Sequence, residues 1–167
     1  MARQELQNGA TMGVQRQKIN EMTEEIYEKI GACAYIRGDS IACATAGQYY
    51  PLTGTFTNKS LENFVVNGDA IEYTGSNDFD ANIFLYVSTA SDKQGSILTF
   101  AVLKNGTEIT GSDRSREFST GTVGSLSNAI CEPITNGDLI AIAVKSDTAN
   151  TNVSLLDINT LLKKAYT

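Results

Sequence analysis

The chain has 167 residues, enough for one well-packed domain plus an arm. A formal net charge of −6 and the lack of any basic run argue against a surface built to hold nucleic-acid phosphates. Histidine is absent, which removes the usual general base, the commonest zinc ligand and every Ser-His or Cys-His nucleophile pair, so an enzyme is not expected.

Residues 1–10 are polar, with Asn8-Gly9 as a turning point, and read as an extended arm. Thr11–Ile30 is the one long helical pattern in the chain. Met12, Ile19, Met22, Ile26 and Ile30 fall on one helical face, and Gln, Lys, Arg and Glu fill most other positions. Gly13 and Gly31 punctuate its two ends. Such a short amphipathic helix is marginal alone. Its stripe must be covered by its own domain, by copies of itself or by a larger assembly, and we read it as an assembly anchor. Asn20, beside the stripe, either sets register as a buried polar group or serves as a solvated or capping residue. No apolar run reaches the roughly 20 residues that span a bilayer, and no membrane partner is expected. The start, MARQELQNGATMG, lacks the apolar core of a secretory signal, so synthesis in a cytoplasm is expected, with any release by lysis or a non-classical route.

From residue 32 the character changes. Ala32–Ile36 is a short apolar run, Arg37-Gly38-Asp39 is expected to turn the chain, and Ile41–Ala44 to run back as the second arm of a hairpin. The same triplet has the residues of an integrin-recognition tripeptide, which a plain hairpin turn explains. Cys33, Cys43 and Cys131 are odd in number and irregularly spaced, neither a disulfide framework nor a zinc site. Free thiols are expected, with a Cys33–Cys43 bridge across the hairpin as the alternative.

Beyond residue 52 the pattern is all β. Leu61–Val66 ends at Asn67-Gly68-Asp69, a hairpin turn that demands positive φ, and Ala70–Tyr73 returns to Gly75. Ile83–Val87 is wholly apolar, as expected of a core strand covered on both faces or of a subunit contact. Ser96–Leu103 is similar, and Lys104-Asn105-Gly106-Thr107 turns it sharply. Asp113 and Glu117 flank Arg114 and Arg116 in what reads as a charge-paired loop, with Glu117–Ser119 as a short edge strand. Thr122–Cys131 alternates more weakly. Asn136-Gly137-Asp138 reads as a third hairpin turn, before Leu139–Val144, and Val153–Ile158 with Leu161-Leu162 close the chain. Asn77, Asp78 and Asp80 offer closely spaced oxygens but lack the distal Glu of a calcium loop, so a plain turn is expected. No Gly-x-Ser-x-Gly elbow occurs. No catalytic, cofactor or metal site is expected. About eight to ten short strands with no intervening helix point to a mainly β, antiparallel sandwich of jelly-roll type, preceded by one N-terminal α-helix.

These strands carry a resemblance. Phe64-Val65-Val66, Ile71–Gly75, Ile83–Val87, Ser96–Leu103 with Lys104-Asn105-Gly106, Asn136-Gly137-Asp138 before Leu139–Ile142, and Val153–Leu162 resemble, in that order, the jelly roll of tumour necrosis factor (TNF) and complement globular heads over roughly residues 50–165. Separately, Gln15–Met22 with Ile26-Tyr27 is similar to the N-terminal helix of many tailed-phage virion proteins, with Met22 and Thr23 where an aromatic is common there. Together these imply a late-expressed phage virion protein: a homotrimeric head fibre or capsid decoration protein, displayed on the particle and bound to capsid or other virion proteins. The implied organisation is an arm and anchoring helix over 1–31, a connecting β segment over 32–50 and a jelly roll over 51–167. The implied assembly residues are Met12, Arg16, Ile19, Asn20, Met22, Ile26, Tyr27 and Ile30. The alternative is a receptor- or carbohydrate-binding jelly-roll module of a tail or neck fibre, or a bacterial complement-like head, taking a host surface ligand. Such a tip needs exposed aromatics in its loops, and Tyr49 and Tyr50 are the candidates.

Overall fold

Runs of alternating or wholly apolar residues, punctuated by Gly and Asn, form the strands of a two-sheet sandwich. The computed structural model describes residues 31–53 and 57–165. Among them lie β1 (Gly31–Ile36), β2 (Asp39–Cys43), β3 (Tyr50–Pro51), β4 (Thr57–Glu62), β5 (Phe64–Asn67), β6 (Ala70–Tyr73), β7 (Phe79–Ser91), β8 (Ser96–Lys104), β9 (Thr107–Glu108), β10 (Arg114–Phe118), β11 (Val123–Ile134), β12 (Leu139–Ser146) and β13 (Thr151–Lys164). No helix occurs among the described residues. The helix expected over Thr11–Ile30, and with it every expected assembly residue from Met12 to Ile30, lies outside them.

The first sheet runs β11-β7-β13-β1-β4, with β2 also on β13; the second runs β10-β8-β12-β6-β5, with β3 on β12 and β9 on β8. Neighbouring strands pair antiparallel throughout. Period-two alternation turns Ile83, Leu85, Val87, Leu155, Ile158 and Leu162 of the first sheet inward, against Leu98, Phe100, Val102, Ile140, Ile142 and Val144 of the second. Each buried aliphatic side chain contributes about 1.5–3 kcal/mol through removal from water. Phe64, Tyr73 and Phe79 close one end of this core, with ring centroids 5.0–6.5 Å apart in tilted and edge-to-face contacts.

Two hairpins follow their turn chemistry. Gly68 alone has positive φ between β5 and β6, as a type II′ turn requires, whereas Asn105 and Gly106 both have it between β8 and β9, as type I′ requires. The expected hairpin turn at Asn136-Gly137 is corrected. It joins β11 of the first sheet to β12 of the second. Asp138 N donates to Thr135 O at 3.1 Å and Gly137 has φ 85°, the pattern of a type II turn.

Arg37-Gly38-Asp39 does not reverse the chain either. Ile36 faces Ile158 and Asp39 faces Leu155, so β1 and β2 follow one edge of β13 without a register shift. Gly38, at φ 69°, makes only a local kink, and its N–H still donates to Leu155 O at 2.9 Å. The expected connecting segment 32–50 therefore contributes strands to the sandwich itself. Ten residues of nearly straight strand put the Cys33 and Cys43 backbones roughly 30 Å apart, far beyond the roughly 6 Å that a disulfide spans. The hairpin that would have juxtaposed them does not exist.

Candidate functional site

The strand expected either to be covered on both faces or to form a subunit contact is β7, an interior strand of the first sheet next to its β11 edge. β7 pairs with β11 on one side and β13 on the other, and Ile83, Leu85 and Val87 point into the core. Alternation then forces Phe84 and Tyr86 outward, where they remain 44% and 45% exposed. Large side chains that face the core leave none of this area to water, so Phe84 and Tyr86 form an apolar patch on the outer face. Phe84 lies across from Ala129 and Leu161, Tyr86 across from Ser127 and Asn159. A groove of about 630 Å³ runs along these residues and reaches Arg114 and Asn128 at the sheet's edge.

Arg114 and Arg116 are in β10, an edge strand, and not in a loop. They share a strand face with Phe118, which is buried in the core. From the edge of the second sheet they extend toward β11 in the first. Arg116 Nη1 donates to Ser125 O at 3.3 Å, and its guanidinium lies 5.7 Å from the Phe118 ring centroid. Arg114 Nη1 donates to the carbonyls of Asp113 at 2.6 Å and Gly111 at 3.3 Å. Asn128 of β11 donates back to the carbonyls of Gly111 and Ser112. The expected charge pairing with Asp113 and Glu117 is replaced by these carbonyl contacts. The ion pairs among the described residues are Arg37–Asp157, Lys104–Glu132 and Lys104–Asp138, and none includes Arg114 or Arg116.

Other polar clusters serve the fold. Arg37 makes a two-point contact with Asp157 directly across from it, at 3.2 and 3.3 Å. Arg37 is mostly exposed, so the pair contributes no more than about 1 kcal/mol. Asp138 is buried and accepts from Thr135 N, Thr135 Oγ1 and Asn105 Nδ2, with Lys104 Nζ 3.5 Å away. Burial works to raise its pKa, but these donors and the Lys104 ammonium outweigh it and hold the carboxyl below its ordinary value. Asn77 and Asp78 precede β7, and Asn77 O accepts from Tyr73 Oη at 2.7 Å, while Asp80 is in the strand. Among the described residues no three His, Cys, Asp or Glu side chains are grouped as metal ligands would be.

The tyrosines proposed for a binding tip are engaged within the domain. Lys145 Nζ sits 4.2 Å from the Tyr49 ring centroid, and Tyr50 Oη accepts from Thr45 N at 2.8 Å. The Tyr50 backbone pairs with Val144.

No protein-family model matches the sequence, and no curated protein does. Similar solved structures exist. The TNF-family protein Eiger of S. frugiperda superposes with a TM-score of 0.55 at 11% identity, covering 83% of this chain and 96% of its own. Murine APRIL gives 0.55 at 12% identity, with 80% and 98% covered. PRD1 vertex protein P5 gives 0.49 at 14% identity, with 81% and 96% covered. At such identities the likeness to Eiger and APRIL shows the fold alone: a TNF-like antiparallel jelly roll.

Proposed function

We propose that this chain is a structural protein of a tailed-phage virion, a homotrimeric head fibre or capsid decoration protein attached through its N-terminal segment. The observation that carries self-assembly is the outward pair Phe84 and Tyr86 on β7, an interior strand of the first sheet. Covering two half-exposed aromatics stabilises a contact by about 1–2 kcal/mol each. The trimer is what the resemblance to TNF and complement heads implies. Attachment to a virion rests on Gln15–Tyr27 and on the stripe of Met12, Ile19, Met22 and Ile26. The geometry of the jelly roll is consistent with an anchored end and a free end. Gly31 pairs with Lys163, so the N-terminal segment joins the sheet where β13 ends. The turns between β7 and β8, β10 and β11, and β12 and β13 lie at the opposite end.

The role is mechanical and not catalytic in this reading, with the protein displayed on the particle surface. Sedimentation equilibrium of the purified full chain should give three times the chain mass. Added to particles lacking it, the full chain should bind and a chain starting at Gly31 should not. A monomer at micromolar concentration, or equal occupancy by both chains, would refute the trimer or the anchor respectively.

A further inference from the structure

We propose that the groove beside Phe84 and Tyr86 is filled by a second copy of this chain that brings a carboxylate to Arg114, so that Arg114 fixes the register between copies. This rests on the self-assembly reading above and names the contact that orients it. The groove is apolar along Phe84, Leu161 and Ala129 but has a guanidinium in its wall. Arg114 spends one nitrogen on two neutral carbonyls, which orient the group without neutralising it. The carboxylates of its neighbours in sequence do not pair with it. Alternation turns Glu117 to the other face of β10, and Asp113 forms no ion pair with it.

Closing the groove strips water from this cation. A guanidinium buried without a counter-charge is strongly destabilising, so a wholly apolar occupant is rejected. A carboxylate meets the planar fork with two parallel hydrogen bonds and restores the balance. A second copy fits that requirement, because the chain carries 19 Asp and Glu against 13 Lys and Arg. Apolar contacts alone let two sheets slide past one another, whereas one desolvated charge pair selects a single alignment.

The test uses the full chain and measures its mass by sedimentation over a salt series. The wild-type dissociation constant should rise with salt. Arg114→Gln should weaken assembly and flatten that dependence, and Arg114→Glu should raise the constant about 100-fold or more. Both variants should still melt cooperatively with the wild-type β signature, since the side chain bonds only carbonyls at a sheet edge, and any fall in melting temperature should follow the loss of assembly. Wild-type assembly with a wild-type salt response in Arg114→Glu overturns the proposal. Phe84→Glu separates the two levels. If it yields monomer while Arg114→Glu still assembles normally, the face assembles without Arg114 and only this inference falls. If both variants assemble like wild type, another surface joins the copies and the face reading falls too.

Discussion

Asn105 Nδ2 donates to Asp138 Oδ1 at 2.7 Å, tying the β8–β9 hairpin turn to the turn that carries the chain from one sheet to the other. The same amide's oxygen accepts from Leu139 N at 2.9 Å, and Asn105 N donates to Leu139 O at 2.8 Å. One residue thus satisfies three polar groups where the crossover enters β12, two through its side chain and one through its backbone. Asp138 completes the lock by accepting from Thr135 and facing Lys104.

Acid stability follows from this arrangement. The Asp138 carboxyl is held below its ordinary value, so its charged form stabilises the fold at every pH above about 4. That contribution is lost as pH falls through the lowered folded pKa. Asp138→Asn should cost about 1–3 kcal/mol at neutral pH, by leaving buried donors unsatisfied. It should also lose less stability on acidification than wild type. Urea titrations at pH 7 and pH 3 measure both.

Gly124 should resist enlargement. A Cβ there would sit 2.6 Å from Phe118 Cε1 and 3.1 Å from Arg116 Cζ, where β11 meets the β10 edge. Gly124→Ala should destabilise by about 1–3 kcal/mol. The penalty should shrink in a Phe118→Leu background, which removes the clashing ring edge. A double-mutant cycle from denaturant midpoints reads the coupling, and additive effects would contradict the packing described.

The thiols should differ in reactivity. Burial pushes the Cys43 thiol up, against an opposing backbone hydrogen bond from Ser146, whereas Cys131 is exposed on the outer face of the first sheet. Native protein diluted below its assembly concentration should therefore alkylate at Cys131 well before Cys43, by peptide mass mapping over time. After denaturation all three cysteines should titrate as free, and a missing pair would contradict the straight β1–β2 edge.

A chain beginning at Gly31 should fold. Gly31–Thr167 forms its own compact unit, with a core made by strands of both sheets. Its melting should be cooperative, with the wild-type β signature in circular dichroism. A non-cooperative melt would show that the first thirty residues complete this core.

Much of this protein was legible in its residues. Two-residue alternation, apolar runs and the turns at Gly68 and at Asn105-Gly106 specified an antiparallel sandwich, because side-chain direction in a strand and positive φ in a tight turn are local properties. The groove was only half visible. Ile83–Val87 announced a strand with apolar residues on both faces, and the sequence left open whether the second face was buried by the domain or by a subunit. Only tertiary structure decided that Phe84 and Tyr86 face away from the core, and that Arg114, a strand residue on the other sheet, reaches the same groove. Long-range pairing likewise decided that Arg37-Gly38-Asp39 kinks one continuous edge and that Asn136-Gly137 crosses between sheets. A glycine permits the left-handed backbone in either case, and the partner strand, more than a hundred residues away for Arg37, determines whether the chain bends or reverses.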